Sequence, residues 1–192
     1  FYLVSINPYS QDDLNFDWDE FATKINSELI GNLGNLVNRA LGFTIKSFNG
    51  IIPSPDEFDD KDKESEKMIN ELASDFSMLM EENHLDRALK KILQFSAHFN
   101  QYFQHKEPWK NGAGTNSCIF LSVNAVRSLA IAIYPFLPDS SQKIWSQLGM
   151  NGEISTHMFD EISDITLTQG HKLGSVSPLF AKVEESIIEE QK

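Results

Sequence analysis

Two short stretches hold residue types able to recognise another molecule. The first is Gly31-Asn32-Leu33-Gly34-Asn35-Leu36-Val37-Asn38-Arg39, which puts two glycines and three asparagines into nine residues with helical apolar spacing. Each interior glycine costs about 1 kcal/mol relative to alanine. The stretch therefore opposes the helix its own pattern predicts, and tertiary structure or function must compensate. Asn35 and Arg39 stand four residues apart and share a helix face. They suit a joint binding role. They also suit a glycine-assisted close helix contact, with Arg39 near a helix C-terminus where the macrodipole favours it. The second stretch is Lys106-Glu107-Pro108-Trp109-Lys110. An aromatic between two cations suits stacking on an unpaired base, with Pro108 beside it and phosphates near Lys106 and Lys110. Trp109 folded back as a plug for the end of a bundle fits the same residues.

Other reactive residues form no such pattern. His98 and His105 are seven apart on one face, but no Glu-x-x-His motif accompanies them. They read as satisfied or exposed histidines rather than metal ligands. Cys118 reads as a small core residue. The acidic run from Asp56 to Glu66 lacks EF-hand spacing and reads as a solvated surface. With no phosphate-binding glycine loop and no Ser-His-Asp order, no catalytic residue and no metal ligand is assigned.

The elements that must hold these residues are helices. Asp17 or Asp19 caps the first, whose periodic positions run from Trp18 through Ala40, with Gly42 and then Asn49-Gly50 ending it and its tail. Residues 51–62, with Pro53, Pro55 and a run of acids, read as a solvated linker. Further helices follow near Lys63–Glu82 and Leu85–Gln104. A helix near Asn116–Tyr134, apolar on most faces, should be central. A short fifth helix starts at Asp139 or Ser140 and stops at Gly149. Residues 150–175 lack a clear period and suggest a loop with a short strand around Ile162–Leu167, and Pro178 opens a last helix. The predicted fold is all-α, a helical bundle with a short irregular C-terminal appendage.

At 192 residues the chain suits one domain. The longest apolar run, Val126 to Leu137, is interrupted by Arg127 and Pro135 and is too short to span a bilayer, so no membrane contact is expected. A single cysteine fits a reducing compartment and a cytoplasmic location. Phe1-Tyr2-Leu3 opens without Met and without a basic n-region, which predicts that the chain continues upstream. The net charge of −12 argues against loose binding of nucleic acid. The charge is unevenly spread, however: residues 1–52 carry −3, residues 53–83 carry −8, residues 84–150 carry +4, and residues 151–192 carry −5. Any RNA contact would therefore be local.

Taken in order, the motifs resemble one family. Asn15-Phe16-Asp17-Trp18-Asp19-Glu20-Phe21, Ile25-Asn26-Ser27-Glu28-Leu29 and Gly34-Asn35-Leu36-Val37-Asn38-Arg39 are similar to the junction and first anticodon-domain helix of methionyl-tRNA synthetases. Asn100-Gln101-Tyr102 with Glu107-Pro108-Trp109, then Tyr134-Pro135-Phe136-Leu137-Pro138, Ile144-Trp145, Leu148-Gly149 and Pro178-Leu179-Phe180, continue the resemblance over nearly the whole chain. It implies that residues 1–16 end the segment leading from a catalytic domain and that 17–192 form the anticodon-binding domain. It also implies that the partners are methionine tRNA with a CAU anticodon and the chain's own catalytic domain. By the family's motifs, cytosine is read by Asn35, Arg39 and Trp109. The amide accepts from the base's amino group, the guanidinium donates to its two acceptors, and the indole stacks on the ring. Some members carry a polar residue one turn before Asn35, where this chain has Gly31.

The HIGH and KMSKS catalytic motifs are absent. The resemblance therefore implies that this chain binds tRNA without charging it and needs no cofactor itself. The full-length enzyme would be a methionine–tRNA ligase using ATP with Mg, often with Zn. Two alternatives share the helical pattern: the anticodon domain of another class I synthetase (for isoleucine, valine, leucine or cysteine), and a helical protein-interaction module. An independent enzyme lacks any convergent site.

Overall fold

The computed structural model describes residues 1–7 and 15–190, so residues 8–14 of the predicted linking segment lie outside the described residues. Helix α1, Tyr2–Ile6, precedes a long rod. Asp17 Oδ1 accepts from the Glu20 N–H at 2.8 Å and starts α2, Trp18–Lys24. The rod then widens into a ten-residue π-helical segment, Ile25–Gly34, and tightens again as α3, Asn35–Phe48. The two glycines and Asn32 that oppose an α-helix thus sit where the chain adopts the wider spiral, a form common at functional sites. Leu29, Leu33, Leu36, Val37, Ala40 and Leu41 are buried along one side. Gly42 lies inside α3 rather than at its end. The rod stops at Asn49, whose left-handed backbone (φ 53°) lets Gly50 N–H reach Thr44 O at 3.0 Å.

The segment expected to be a solvated linker is partly core. Ile52 is fully buried, and its backbone exchanges hydrogen bonds with Gly170 N–H and His171 O at 2.9 Å. Ile51 pairs with Lys172 in an isolated antiparallel bridge. The acidic run is also not merely solvated. Asp59 accepts from the Lys61 and Asp62 N–H groups, Asp62 returns a bond to the Asp59 N–H, and this capping box starts α4, Asp60–Glu81. Helix α5, Leu85–Lys106, follows a turn at left-handed Asn83.

Helix α6, Thr115–Ile133, is the centre of the molecule as its pattern predicts, with 17 of its 19 residues buried. It packs against α3, α4, α5 and α7, Pro138–Gln147. Among the described residues α6 is the one helix long and apolar enough to cross a bilayer, contrary to the sequence reading, but 89% of that window is buried inside this protein. Two polar residues of α6 hold the C-terminal tail in place. The Asn124 amide exchanges 3.0 Å bonds with the Leu167 backbone, and Arg127 donates to the carbonyls of Glu161 at 2.7 Å and Asp164 at 3.1 Å.

Those bonds explain why the strand expected at Ile162–Leu167 does not form. The backbone there pairs with side chains, and residues Phe159–Ser163 turn as a 3₁₀ helix. The helix expected from Pro178 is also absent. Pro178 O accepts from Lys143 Nζ, Ser177 O from Gln147 Nε2, and the Val183 backbone pairs twice with the Asn26 amide at 2.9 Å. This strap is irregular until α8, Glu185–Glu189. Gly34 is what admits it. A Cβ there would sit 3.2 Å from the Phe180 ring, so the missing side chain makes room for that phenylalanine.

Candidate nucleic-acid interface

The rod and α5 run in the same direction and meet along a ladder of polar side chains. Asn32 Nδ2 donates to Leu93 O at 2.8 Å. Asn100 Nδ2 donates to Asn32 O at 2.9 Å and to Asn32 Oδ1 at 3.2 Å. A backbone carbonyl only accepts, so this bond fixes the orientation of the Asn100 amide. Asn100 Oδ1 must therefore be the acceptor on the other side, and it takes a 2.7 Å bond from Asn35 Nδ2. Asn35 is oriented in turn: its Nδ2 is engaged on Asn100, so the amide's remaining acceptor is Oδ1. One turn on, Arg39 donates to Asn100 O at 3.3 Å and to Gln104 Oε1 at 3.0 Å. Partial burial pulls the pKa of its guanidinium down from the usual value.

An aromatic floor supports the arginine. The Arg39 guanidinium carbon lies 4.8 Å from the Phe103 ring centre and 5.9 Å from that of Trp109, and the two rings are 6.5 Å apart at 35°. Trp109 is 43% exposed, so it is not a plug. It sits in a 3₁₀ turn, Pro108–Lys110, bracketed by left-handed Glu107 (φ 44°) and Asn111 (φ 50°). Pro108, the first residue of the turn, is buried. The structure thus brings Asn35, Arg39 and Trp109 to one face and gives two of them fixed orientations.

The flanking lysines have other partners. Lys106 does not face solvent: its side chain is 6% exposed, and Nζ lies 2.7 Å from Asp62 Oδ1 and 2.9 Å from Asp59 Oδ2. Burial works against its charge, but the bonds to Asp62 and Asp59 outweigh it and raise its pKa. Tyr102 donates to the same Asp62 Oδ1 at 2.6 Å. Burial, with Asp62 nearby, raises the Tyr102 pKa well above its ordinary value. The Lys106 bond holds the Asp59 carboxyl down at about 2. Lys106 thus anchors the base of the Trp109 turn rather than offering charge to a phosphate. Lys110 pairs with Glu107 at 2.6 Å on the surface. His98 Nε2 bonds Ser65 Oγ at 3.0 Å, a satisfied histidine. Cys118 is buried, and burial pushes its thiol up to about 12.

Asn100, Phe103 and Gln104 were not singled out as site residues from sequence. A signal was present: Asn100 and Gln104 repeat on α5 the four-residue spacing of Asn35 and Arg39.

Residues 52–192 match the family model described as the anticodon binding domain of methionyl tRNA ligase, and residues 1–41 match the model for class I tRNA synthetases (M). Among curated relatives, the methionine–tRNA ligase of Pyrococcus furiosus is 38% identical over 98% of this chain, and that of Pyrococcus horikoshii 36% identical over 98%. The chain spans about a quarter of their length (26% of each). The apo crystal structure of Mycobacterium tuberculosis methionyl-tRNA synthetase superposes with a TM-score of 0.86 at 26% identity, covering 95% of this chain and 38% of that one. The same enzyme in complex with methionyl-adenylate gives 0.84 at 27%, covering 93% of this chain and 36% of that one. An all-α domain with this match over most of its length belongs to the anticodon-binding domain family of methionyl-tRNA ligases.

Proposed function

We propose that this chain reads the CAU anticodon of methionine tRNA for a longer methionine–tRNA ligase, with Asn35, Arg39 and Trp109 forming the pocket for the first anticodon base. The observation that carries this reading is the amide relay from Asn32 through Asn100 to Asn35. It leaves the Asn35 oxygen as an acceptor one helical turn from the Arg39 guanidinium, which lies over the exposed Trp109 indole. Cytosine offers one amino donor followed by two acceptors along that edge, and a flat face. Uracil offers a carbonyl in place of the amino group, and the Asn35 oxygen would repel it. Pro108, buried at the start of the same turn, anchors the segment that carries Trp109.

Under this reading the longer enzyme works in the cytoplasm, and its catalytic domain supplies the ATP chemistry with Mg, and Zn where present. Among the described residues no three His, Cys, Asp or Glu side chains gather as a metal site.

The test is a titration of the chain with CAU and UAU anticodon hairpins, for the parent and for Asn35→Ala, Arg39→Ala and the double variant. Arg39→Ala should cost roughly 1–3 kcal/mol against CAU, as for bidentate base contacts, and much less against UAU. The two losses should be non-additive, because one base edge couples them. Additive losses that ignore the first base would refute the pocket. Methionine-dependent pyrophosphate exchange by this chain alone would contradict the division of labour.

A further inference from the structure

The wide spiral of Ile25–Gly34 runs for ten residues, whereas a π-helix ordinarily lasts a single turn inside an α-helix. Two glycines make room for it. A Cβ on Gly31 would lie 3.2 Å from Asn26 O, and one on Gly34 3.1 Å from Leu29 O. Each is the carbonyl five residues back, which the wide spiral brings beneath the residue. Carbon–oxygen contacts ordinarily begin at about 3.3 Å, so glycine relieves the crowding at both places. The C-terminal strap then holds the segment near both of its ends. Near the start, the Asn26 amide donates to Val183 O and accepts from the Val183 N–H, both at 2.9 Å. At the last residue, the Phe180 ring occupies the space that a side chain on Gly34 would need, 3.2 Å from the Cβ position.

The register held in this way places Asn32, the root of the amide relay. Its Nδ2 donates to Leu93 O at 2.8 Å, and its backbone O accepts from Asn100 Nδ2 at 2.9 Å. That same carbonyl accepts the Asn35 N–H where the spiral tightens into α3, and its second lone pair serves Asn100. A π turn takes in one residue more than an α turn. Relaxing one turn would therefore rotate the two halves of the rod against each other by the angle of one residue, about 100°. The upstream half is the one free to turn: α2 has no buried residue, while Leu36, Val37, Ala40 and Leu41 of α3 are at most 1% exposed. Asn32 would swing off α5. The Asn100 amide, no longer facing a carbonyl, could then present either of its ends to Asn35.

We propose that Phe180 and the Asn26–Val183 contact are positioning groups for anticodon reading: the strap keeps the rod in its π register, and that register orients the Asn35 amide. The proposal rests on the cytosine reading above. Neither group bonds to the reader residues, and the effect passes through Asn32 and Asn100. The strap thereby ties the choice between cytosine and uracil to residues about 150 positions away in sequence, since Asn26 and Val183 are 157 apart.

The experiment loosens the strap and reads discrimination rather than affinity. Phe180→Ala, Asn26→Leu, Asn100→Ala and the double variant Phe180→Ala/Asn100→Ala are titrated with CAU and UAU hairpins, well below their melting temperatures. Phe180→Ala and Asn26→Leu should each cut the preference for CAU over UAU by about tenfold, the scale on which one base contact discriminates, with UAU affinity held. Asn100→Ala should show the same loss. The double variant should be no worse than Asn100→Ala alone, because the strap acts through that amide. Should Phe180→Ala fail to fold, Asn26→Leu decides. If the strap variants keep the parent's preference, the positioning role is wrong and the cytosine pocket stands. If they weaken both hairpins by one factor, the strap supports the fold or touches RNA directly, and the positioning role is again wrong. If the parent itself binds CAU and UAU alike, the cytosine reading has failed.

Discussion

Replacing Lys106 with methionine separates two roles that one lysine beside a tryptophan could have. Asp62 is fully buried and accepts from Lys106 Nζ at 2.7 Å, Tyr102 OH at 2.6 Å and the Asp59 N–H at 3.0 Å. Methionine keeps the length and the apolar stem but leaves the Asp62 carboxylate without its countercharge. Breaking a buried pair this way costs about 3–5 kcal/mol. Asp62 keeps two hydrogen bonds and Asp59 is open to water, so the lower end, about 3 kcal/mol, applies. For a domain of this size that is a fall of roughly 6–12 °C in Tm. The double variant Asp62→Asn/Lys106→Met removes the stranded charge while keeping an acceptor for Tyr102, and should recover most of the loss. Calorimetry measures both. The same proteins, titrated with a CAU hairpin at several salt concentrations below their melting points, should show the parent's salt slope, because Lys106 is already neutralised. A phosphate-contacting lysine would instead lower that slope by about one unit. A Lys106→Met protein that melts with the parent but binds with a shallower slope would refute the anchoring role and restore the sequence expectation.

Trp109→Ala should weaken hairpin binding by about 1–3 kcal/mol and leave the melting temperature nearly unchanged, because the ring is 43% exposed. A collapse in thermal stability instead would make the ring a structural plug. Gly174→Ala should destabilise by about 1–3 kcal/mol in urea titration, since a Cβ there collides with the Ser146 carbonyl where the tail crosses the end of α7; a neutral result would show that the tail shifts freely. Stability should also fall at both pH extremes. Asp59 is depressed from 3.8 to about 2, so its contribution is present above 3.8 and lost as pH falls toward 2. Tyr102 and Lys106 are raised from 10.0 and 10.5, so theirs is present below those values and lost as pH climbs through the raised ones. Asp59→Asn should flatten the acid limb of a stability–pH curve and, because Asp59 also helps raise Lys106 and Tyr102, weaken the alkaline limb in part while Asp62 keeps the rest.

The parts legible from sequence are those set by local spacing. The periodic apolar positions gave α4, α5 and α6 with nearly correct bounds, and the all-round apolarity of α6 placed it at the centre. The glycine and asparagine content of residues 31–39 marked a helix in conflict with itself, and that conflict appears as the π-helical widening and the polar ladder. What spacing could not show is pairing across long sequence distance. Ile52 looks like a linker residue until Gly170 and His171 supply its backbone partners. Asp62 looks solvated until Tyr102 and Lys106, forty residues on, close over it. The tail at 162–183 has too little periodicity for any regular element, because its backbone is satisfied by the Asn124, Arg127, Gln147, Lys143 and Asn26 side chains. Those donors look like ordinary polar residues of their own helices.

The disposition of charge suggests what kind of binder this is. In the region with surplus positive charge, Lys106 is used by Asp59 and Asp62, Lys110 by Glu107, Lys91 by Asp75, and Arg127 by the tail. At the face itself Arg39 is bound to neutral oxygens, so it alone among these cations there brings net positive charge to a ligand. Affinity built on counterion release needs many unpaired cations, and this surface withholds them. Discrimination built on edge complementarity needs few groups, held still. An amide whose orientation is set through two others, and a guanidinium seated on two rings, meet that need. A domain so arranged should bind weakly by itself and select strongly, leaving affinity to the rest of a longer protein. The salt slope of hairpin binding should then be small, close to the single charge of Arg39. A steep slope would mean that phosphate contacts elsewhere, such as Arg87 and Lys90 on the exposed side of α5, dominate recognition instead.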